Sequence, residues 1–124
     1  MRLALTVLGA VLRDAGERCE RARLAGVDAL VARPRRGDAP VVVYANACTP
    51  LGIEQPAVGR FLGGLARAGF VAVAPELPGV RDGEVTRETV VALVAVASAA
   101  GPRVALVGAS TGAAYLRETV GRPA

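Results

Sequence analysis

The 124-residue sequence contains no histidine, no lysine and no tryptophan. Without histidine, these residues cannot supply an imidazole base, an imidazole metal ligand or a complete Ser-His-Asp triad. The two cysteines, Cys19 and Cys48, lack the CxxC spacing of a zinc or redox motif. We therefore expect two free thiols in a reducing, cytoplasmic compartment, and neither a metal nor a cofactor.

Aromatic residues and clustered positive charge are also scarce. Two Phe and two Tyr are too few for a surface that stacks single-stranded nucleic acid. The net charge of +4 comes from scattered arginines, which does not predict a nucleic-acid partner. An apolar stretch at Leu3–Leu12 is too short to span a membrane, and it predicts either a packed N-terminal element or a signal-peptide core.

The composition that remains is globular, with 52% hydrophobic and 21% charged residues. Apolar β-branched runs alternate with segments of helical spacing, which predicts a βαβαβ order and a mostly parallel sheet with helices on both faces. We expect one α/β domain over 1–124, with a three-layer αβα core at 24–124 and a poorly defined segment at 1–23. The predicted elements are strands at 24–33, 41–45, 70–74 and 104–107, and helices at 56–69 and 86–100.

A glycine-framed turn follows the last predicted strand. Gly108-Ala109-Ser110-Thr111-Gly112 fits the pattern G-x-S-x-G, in which a strand ends in a sharp turn that exposes the serine hydroxyl. The neighbours two residues from the serine must be small, because strand and helix pass close together there. Ser110 is therefore the candidate nucleophile, and the backbone N–H of Thr111 is a candidate oxyanion donor.

Three segments in this order resemble the α/β-hydrolase family: "VVVYANACTPLG", "LARAGFVAVAPELPGVRDG" and "RVALVGASTGAA". In the first, Asn46-Ala47 stand where the family carries His-Gly. The resemblance makes the backbone N–H of Cys48, or that of Ala47, the other oxyanion donor. In the second, Glu76 stands where Asp is usual, and we expect it to be a solvated loop acid.

The resemblance implies a partial α/β-hydrolase fold and a serine hydrolase of the esterase type, acting on a small acyl substrate. The family's acid and histidine, which follow the serine, have no counterpart in the twelve residues after Gly112. We therefore expect a truncated or frame-altered amino-terminal portion that is weakly active or inactive alone. Its last strand would leave an exposed edge, through which the chain could self-associate.

Two other interpretations remain open. The chain could be a non-catalytic half-domain that pairs with another chain. The segment "VALVGASTGAA" also resembles the glycine-rich loop of short-chain dehydrogenases, which would make it a nucleotide-binding fragment with Ala114 in place of the third glycine. Ser110 itself could also be only a small residue in a tight turn of a glycine-rich protein.

Overall fold

A five-stranded sheet forms the centre of the computed structural model, which describes residues 19–35, 39–108 and 112. Within these ranges, two α-helices and two short 3-10 turns, Gly52–Glu54 and Val80–Asp82, connect the strands. The helices are α1 at Pro56–Arg67 and α2 at Arg87–Ala100. The strands are β1 at Glu20–Leu24, β2 at Val27–Ala32, β3 at Val41–Ala45, β4 at Val71–Pro75 and β5 at Val104–Gly108.

The strand order is β1-β2-β4-β3-β5. β3 pairs in parallel with β4 and with β5, whereas β2 is antiparallel to both β1 and β4. Of the five described strands, four therefore run in one direction and β2 opposes them. The parallel strands are joined through helices, as parallel connections require. β3 lies between β4 and β5, so its end is flanked by the ends of both neighbours.

The sheet is covered on both faces, which confirms the three-layer prediction. One face packs against α1, where Leu62 and Leu65 are buried. On this side the ring of Tyr44 contacts that of Phe61, with centroids 4.8 Å apart. The other face packs against α2 through Val90 and Leu93. Burial on both faces explains why β3 is a continuous apolar run rather than an alternating one.

The first two strands correct one sequence prediction. The segment predicted as a single strand at 24–33 is the second half of a β-hairpin whose first strand begins at Glu20. The turn lies at Ala25 and Gly26, with φ of 52° and 75°. Two successive positive φ values match a two-residue hairpin turn whose twist suits the flanking strands.

Both helices begin and end where local chemistry dictates. α1 starts with Pro56 in its first turn, and the chain leaves it through Gly69 at φ of 101°. α2 is capped by Thr86, as predicted, and the side chains and backbone N–H groups of Thr86 and Thr89 bond reciprocally. Thr89 is fully buried, and its hydroxyl donates to the carbonyl of Pro78 at 2.6 Å, which ties α2 to the loop after β4.

β5 has a strand neighbour on one side only within the described ranges. It pairs with β3 from Val104 to Gly108, and no described strand lies along its other side. Unpaired N–H and C=O groups on such an edge can pair with another chain. Self-association through this edge remains a prediction.

Candidate functional site

The candidate residues gather at the carboxyl ends of the parallel strands. The loop after β3 carries Ala47 and Cys48, and the loop after β4 carries Glu76. β5 ends at Gly108, which is in register with Ala45, the last residue of β3. Parallel strands that are adjacent in a sheet bring these loops to one edge, which is where open α/β sheets bind ligands.

Gly108 and Gly112 both lie against the end of β3. Gly112 is buried. An added Cβ there would overlap the carbonyl oxygen of Ala45 and would lie 3.0 Å from its carbon and 3.1 Å from that of Asn46. The obstructing atoms are backbone, which cannot rotate away. Close backbone approach of this kind restricts position 112 to glycine. Ser110 and Thr111 lie outside the described residues.

The loop after β3 presents the two other candidate residues in a partly open position. Ala47 and Cys48 are both half-buried, and Cys48 forms no disulfide among the described residues. Just before them, Asn46 is 4% exposed, and its side-chain nitrogen donates to the carbonyl of Gly52 at 3.0 Å. This bond closes the loop on itself, which explains why a buried amide is favourable at this position.

Glu76 corrects the expectation of a solvated loop acid. Its side chain is 21% exposed, and its Oε1 accepts a bond from Arg81 Nε at 2.6 Å. The same oxygen lies 3.4 Å from the backbone nitrogen of Ile53, in the turn that follows the β3 loop. Among the described residues, Glu76 Oε2 is buried and has no hydrogen-bond partner. Glu76 is therefore a partly buried residue that joins two loops at the edge of the candidate site.

A chain of ion pairs extends from Glu76 to the hairpin. Arg81 Nη2 lies 3.7 Å from Glu54 Oε2, and Arg21 Nη2 donates to Glu54 Oε1 at 2.7 Å. The hydrogen bond to Glu76 is the largest cause that raises the pKa of Arg81 above its ordinary value. Sequence reasoning missed this network because its members come from three separate segments with no shared spacing.

The described residues offer no cluster of three or more His, Cys, Asp or Glu side chains that could hold a metal ion. Within the same part of the chain, every helix is too short or too polar to cross a membrane.

Neither protein-family models nor curated proteins match this sequence. Solved structures do match. TT1662 from Thermus thermophilus aligns with a TM-score of 0.62 at 21% identity, over 84% of this chain and 51% of that one. A membrane phospholipase A aligns with 0.59 at 17% identity, over 98% of this chain and 39% of that one. Epoxide hydrolase VrEH1 from Vigna radiata aligns with 0.51 at 23% identity, over 83% and 33%.

The strand order, the two helices that cover the sheet and the similar solved structures all indicate the same fold. The fold is that of the α/β-hydrolases, in part. The chain spans about half the length of TT1662 and about a third of the epoxide hydrolase.

In α/β-hydrolases, the catalytic groups follow particular strands of the sheet. The α/β-hydrolase nucleophile follows a central strand, and the other oxyanion donor comes from the loop after an adjacent strand. In this chain, β5 and β3 are adjacent parallel strands, and Gly108 lies in register with Ala45. Hydrolase neighbours do not favour the dehydrogenase-like interpretation of the glycine-rich segment.

Proposed function

We propose that this chain performs acyl transfer with Ser110 as the nucleophile, on an ester or a related small acyl compound. The serine oxygen would bond to the carbonyl carbon, and the alcohol would leave with a proton. Water would then cleave the acyl-serine and release the acid. The neighbours' names include an epoxide hydrolase and a phospholipase A, so the fold alone does not choose the substrate. A serine favours an acyl compound, because its oxygen forms acyl-enzymes.

The backbone contact at Gly112 carries this proposal. Gly108 is the last residue of β5 and lies in register with Ala45, and Gly112 lies against that same residue. Because these two positions are four residues apart in the sequence and both adjoin Ala45, we infer that the segment between them makes the sharp turn of the G-x-S-x-G pattern. Such a turn supports an exposed serine at its apex.

The oxyanion donors in this proposal are the backbone N–H of Thr111 and that of Cys48, with Ala47 as the alternative to Cys48. Support comes from the position of the β3 loop beside the end of β5. Donors fixed by a sheet need no reorganisation when charge develops on the carbonyl oxygen, which is why they stabilise the transition state.

The absence of histidine makes these 124 residues slow in the proposed reaction. Without a neighbouring base, the serine hydroxyl stays protonated near pH 7 and is a weak nucleophile. Oxyanion donors and binding alone leave a residual acceleration of about 10³-fold over water. We therefore expect weak activity whose rate rises about tenfold per pH unit, without the inflection near pH 6.5 that a histidine base produces.

A fluorophosphonate probe tests the proposal directly, because the serine oxygen displaces fluoride from phosphorus and keeps the phosphonyl group. The sequence has only two serines, Ser98 and Ser110, so peptide mass spectrometry assigns the label unambiguously. Ser98 is exposed on α2 and provides an internal reference for an unassisted hydroxyl. We expect Ser110 to label at least about 100-fold faster than Ser98.

Two variants control the measurement. Ser110→Ala should abolish the fast label, and Ser98→Ala should leave it unchanged. Equal labelling of the two serines, or a fast label that survives in Ser110→Ala, would overturn the proposed nucleophile.

A further inference from the structure

Three hydrogen bonds join the loop that carries Cys48 to the loop after β4. The backbone nitrogen of Thr49 donates to the carbonyl of Val80 at 3.1 Å. The nitrogen of Ile53 donates to Glu76 Oε1 at 3.4 Å, and Arg81 Nη1 donates to the carbonyl of Pro50 at 3.5 Å. Cys48 thus lies within a loop that is held from a separate segment of the chain.

Two of these bonds depend on one ion pair. Arg81 directs Nε at Glu76 Oε1, 2.6 Å away, while its Nη1 reaches the Pro50 carbonyl. Glu76 Oε1 in turn receives the Ile53 nitrogen. Removing the guanidinium would break the Pro50 contact directly and would leave a partly buried carboxylate without its cation, which is costly.

Gly52 allows the carboxylate to lie this close. The φ of Gly52 is 55°, and an added Cβ would overlap both carboxylate oxygens of Glu76. The carbonyl of the same glycine accepts the bond from the buried Asn46 side chain. Gly52 therefore accepts the hydrogen bond that closes the loop on itself, and it also lies against the carboxylate of the Glu76–Arg81 ion pair.

From these contacts we propose that Glu76 and Arg81 are positioning residues, which fix the β3 loop so that the Cys48 or Ala47 N–H points at the substrate oxygen. The inference rests on the proposed function of Ser110 and adds the groups that orient its oxyanion donor. Stabilisation by such a donor depends on distance, with about 2.7–3.1 Å required to the charged oxygen. An error of about 1 Å in placement can cost a large part of the rate.

Fluorophosphonate kinetics separate positioning from binding. Arg81→Ala should lower the maximal labelling rate of Ser110 by at least about tenfold, because a displaced donor stabilises the transition state less. The probe concentration at half-maximal rate should change by less than about threefold, since the probe's binding surface is retained. Arg81→Lys keeps the charge but not the two-point geometry, so it should restore only part of the rate.

Arg21→Ala is the matched control. It removes an arginine from the same ion-pair chain, but Arg21 contacts Glu54 and not the carboxylate of Glu76. Its labelling rate should equal that of the unaltered chain. All variants are compared at temperatures where circular dichroism shows them fully folded. The positioning role is overturned if Arg81→Ala labels like the unaltered chain, or if Arg21→Ala loses as much rate.

Amide hydrogen exchange distinguishes failure of this inference from failure of the proposed function. In Arg81→Ala, the N–H groups of Thr49 and Ile53 should exchange at least about tenfold faster, and in Arg21→Ala they should not. If Ser110 of the unaltered chain labels no faster than Ser98, the proposed function fails, and exchange alone decides whether Arg81 holds the loop. If exchange at Thr49 and Ile53 is the same in both variants, Arg81 does not hold it.

Discussion

Replacing Gly112 with alanine should destabilise the protein strongly, because the new methyl group has no space. It would overlap the carbonyl oxygen of Ala45 and press on the carbonyl carbons of Ala45 and Asn46. Cβ atoms essentially never come within 3.0 Å of such atoms, so the end of β3 or the chain at 112 must move. The required shift is roughly 1 Å in a closely packed interior.

The size of the effect follows from the kind of atom in the way. Overpacking a buried site costs about 1–3 kcal/mol, and backbone obstruction at the end of a central strand places Gly112→Ala near about 3 kcal/mol. A domain of this size has a free energy of unfolding of about 5–15 kcal/mol, so the loss is a large share. Ser110 labelling should fall as well, since the displaced segment adjoins the serine.

Gly59→Ala is the matched control, with the same added methyl group at a site that has room for it. Gly59 lies within α1, and its added Cβ would meet the Cys19 sulfur at 4.0 Å, an ordinary contact. Alanine in a helix is more favourable than glycine by about 0.5–1 kcal/mol, so this variant should become more stable. Two chemically identical substitutions should therefore change stability in opposite directions.

Urea denaturation followed by far-ultraviolet circular dichroism measures both variants. If Gly112→Ala unfolds at the same urea concentration as the unaltered chain, Gly112 does not lie against Ala45. The packing that supports the turn around Ser110 would then be absent, and the proposed nucleophile would lose its structural basis.

Two further predictions concern titratable groups. The pKa of Glu88 is lowered from 4.5, chiefly by its own backbone N–H and then by the Thr86 hydroxyl; its contribution to folding is therefore present above about pH 4.5 and lost as pH falls through the lower folded-state value. The difference in free energy of unfolding between Glu88→Gln and the unaltered chain, measured by urea titration, should become smaller as the pH drops below 4.5. A difference that does not depend on pH would contradict this. Burial raises the pKa of Cys19 above 9.0, so in a Cys48→Ser variant at pH 8 iodoacetamide should alkylate it more slowly in the folded protein than in urea. Equal rates in the two states would show that the thiol is not shielded.

Local sequence patterns were sufficient for the central elements of the fold. Val41–Ala45 is a strand because a run of β-branched residues suits burial on both faces, and the structure places β3 at those bounds. Thr86 was predictable as a helix cap because its hydroxyl can accept a bond from the first turn, which it does from the Thr89 nitrogen. These features depend on neighbours within a few residues.

The hairpin at the sheet's edge was within reach of sequence reasoning but was missed. Ala22 and Leu24 alternate with arginines ahead of Ala25-Gly26, and alternation followed by a two-residue turn is a hairpin signal. The turn carries alanine at its first central position, where Asn, Asp or Gly is usual. That substitution concealed the turn.

The environment of Glu76 could not be predicted from local pattern. Its exposure is set by Arg81 and by Gly52, which lies 24 residues before it in the sequence. Neither spacing nor composition indicates that the loops after β3 and β4 meet, because that contact exists only once the parallel strands are paired.

Both parts of the proposed reaction centre, the nucleophile and the oxyanion donor, adjoin the end of β3. The strand's last residue, Ala45, lies against Gly108 and Gly112, the glycines on either side of the serine. The residues that follow Ala45 form the loop that carries the proposed oxyanion donor. A collective motion of the whole sheet would therefore move nucleophile and donor together and leave the distance between them unchanged. A bend confined to one of the two segments would change that distance. Redesign of substrate preference should accordingly alter the outer loops and leave the backbone around Ala45 untouched.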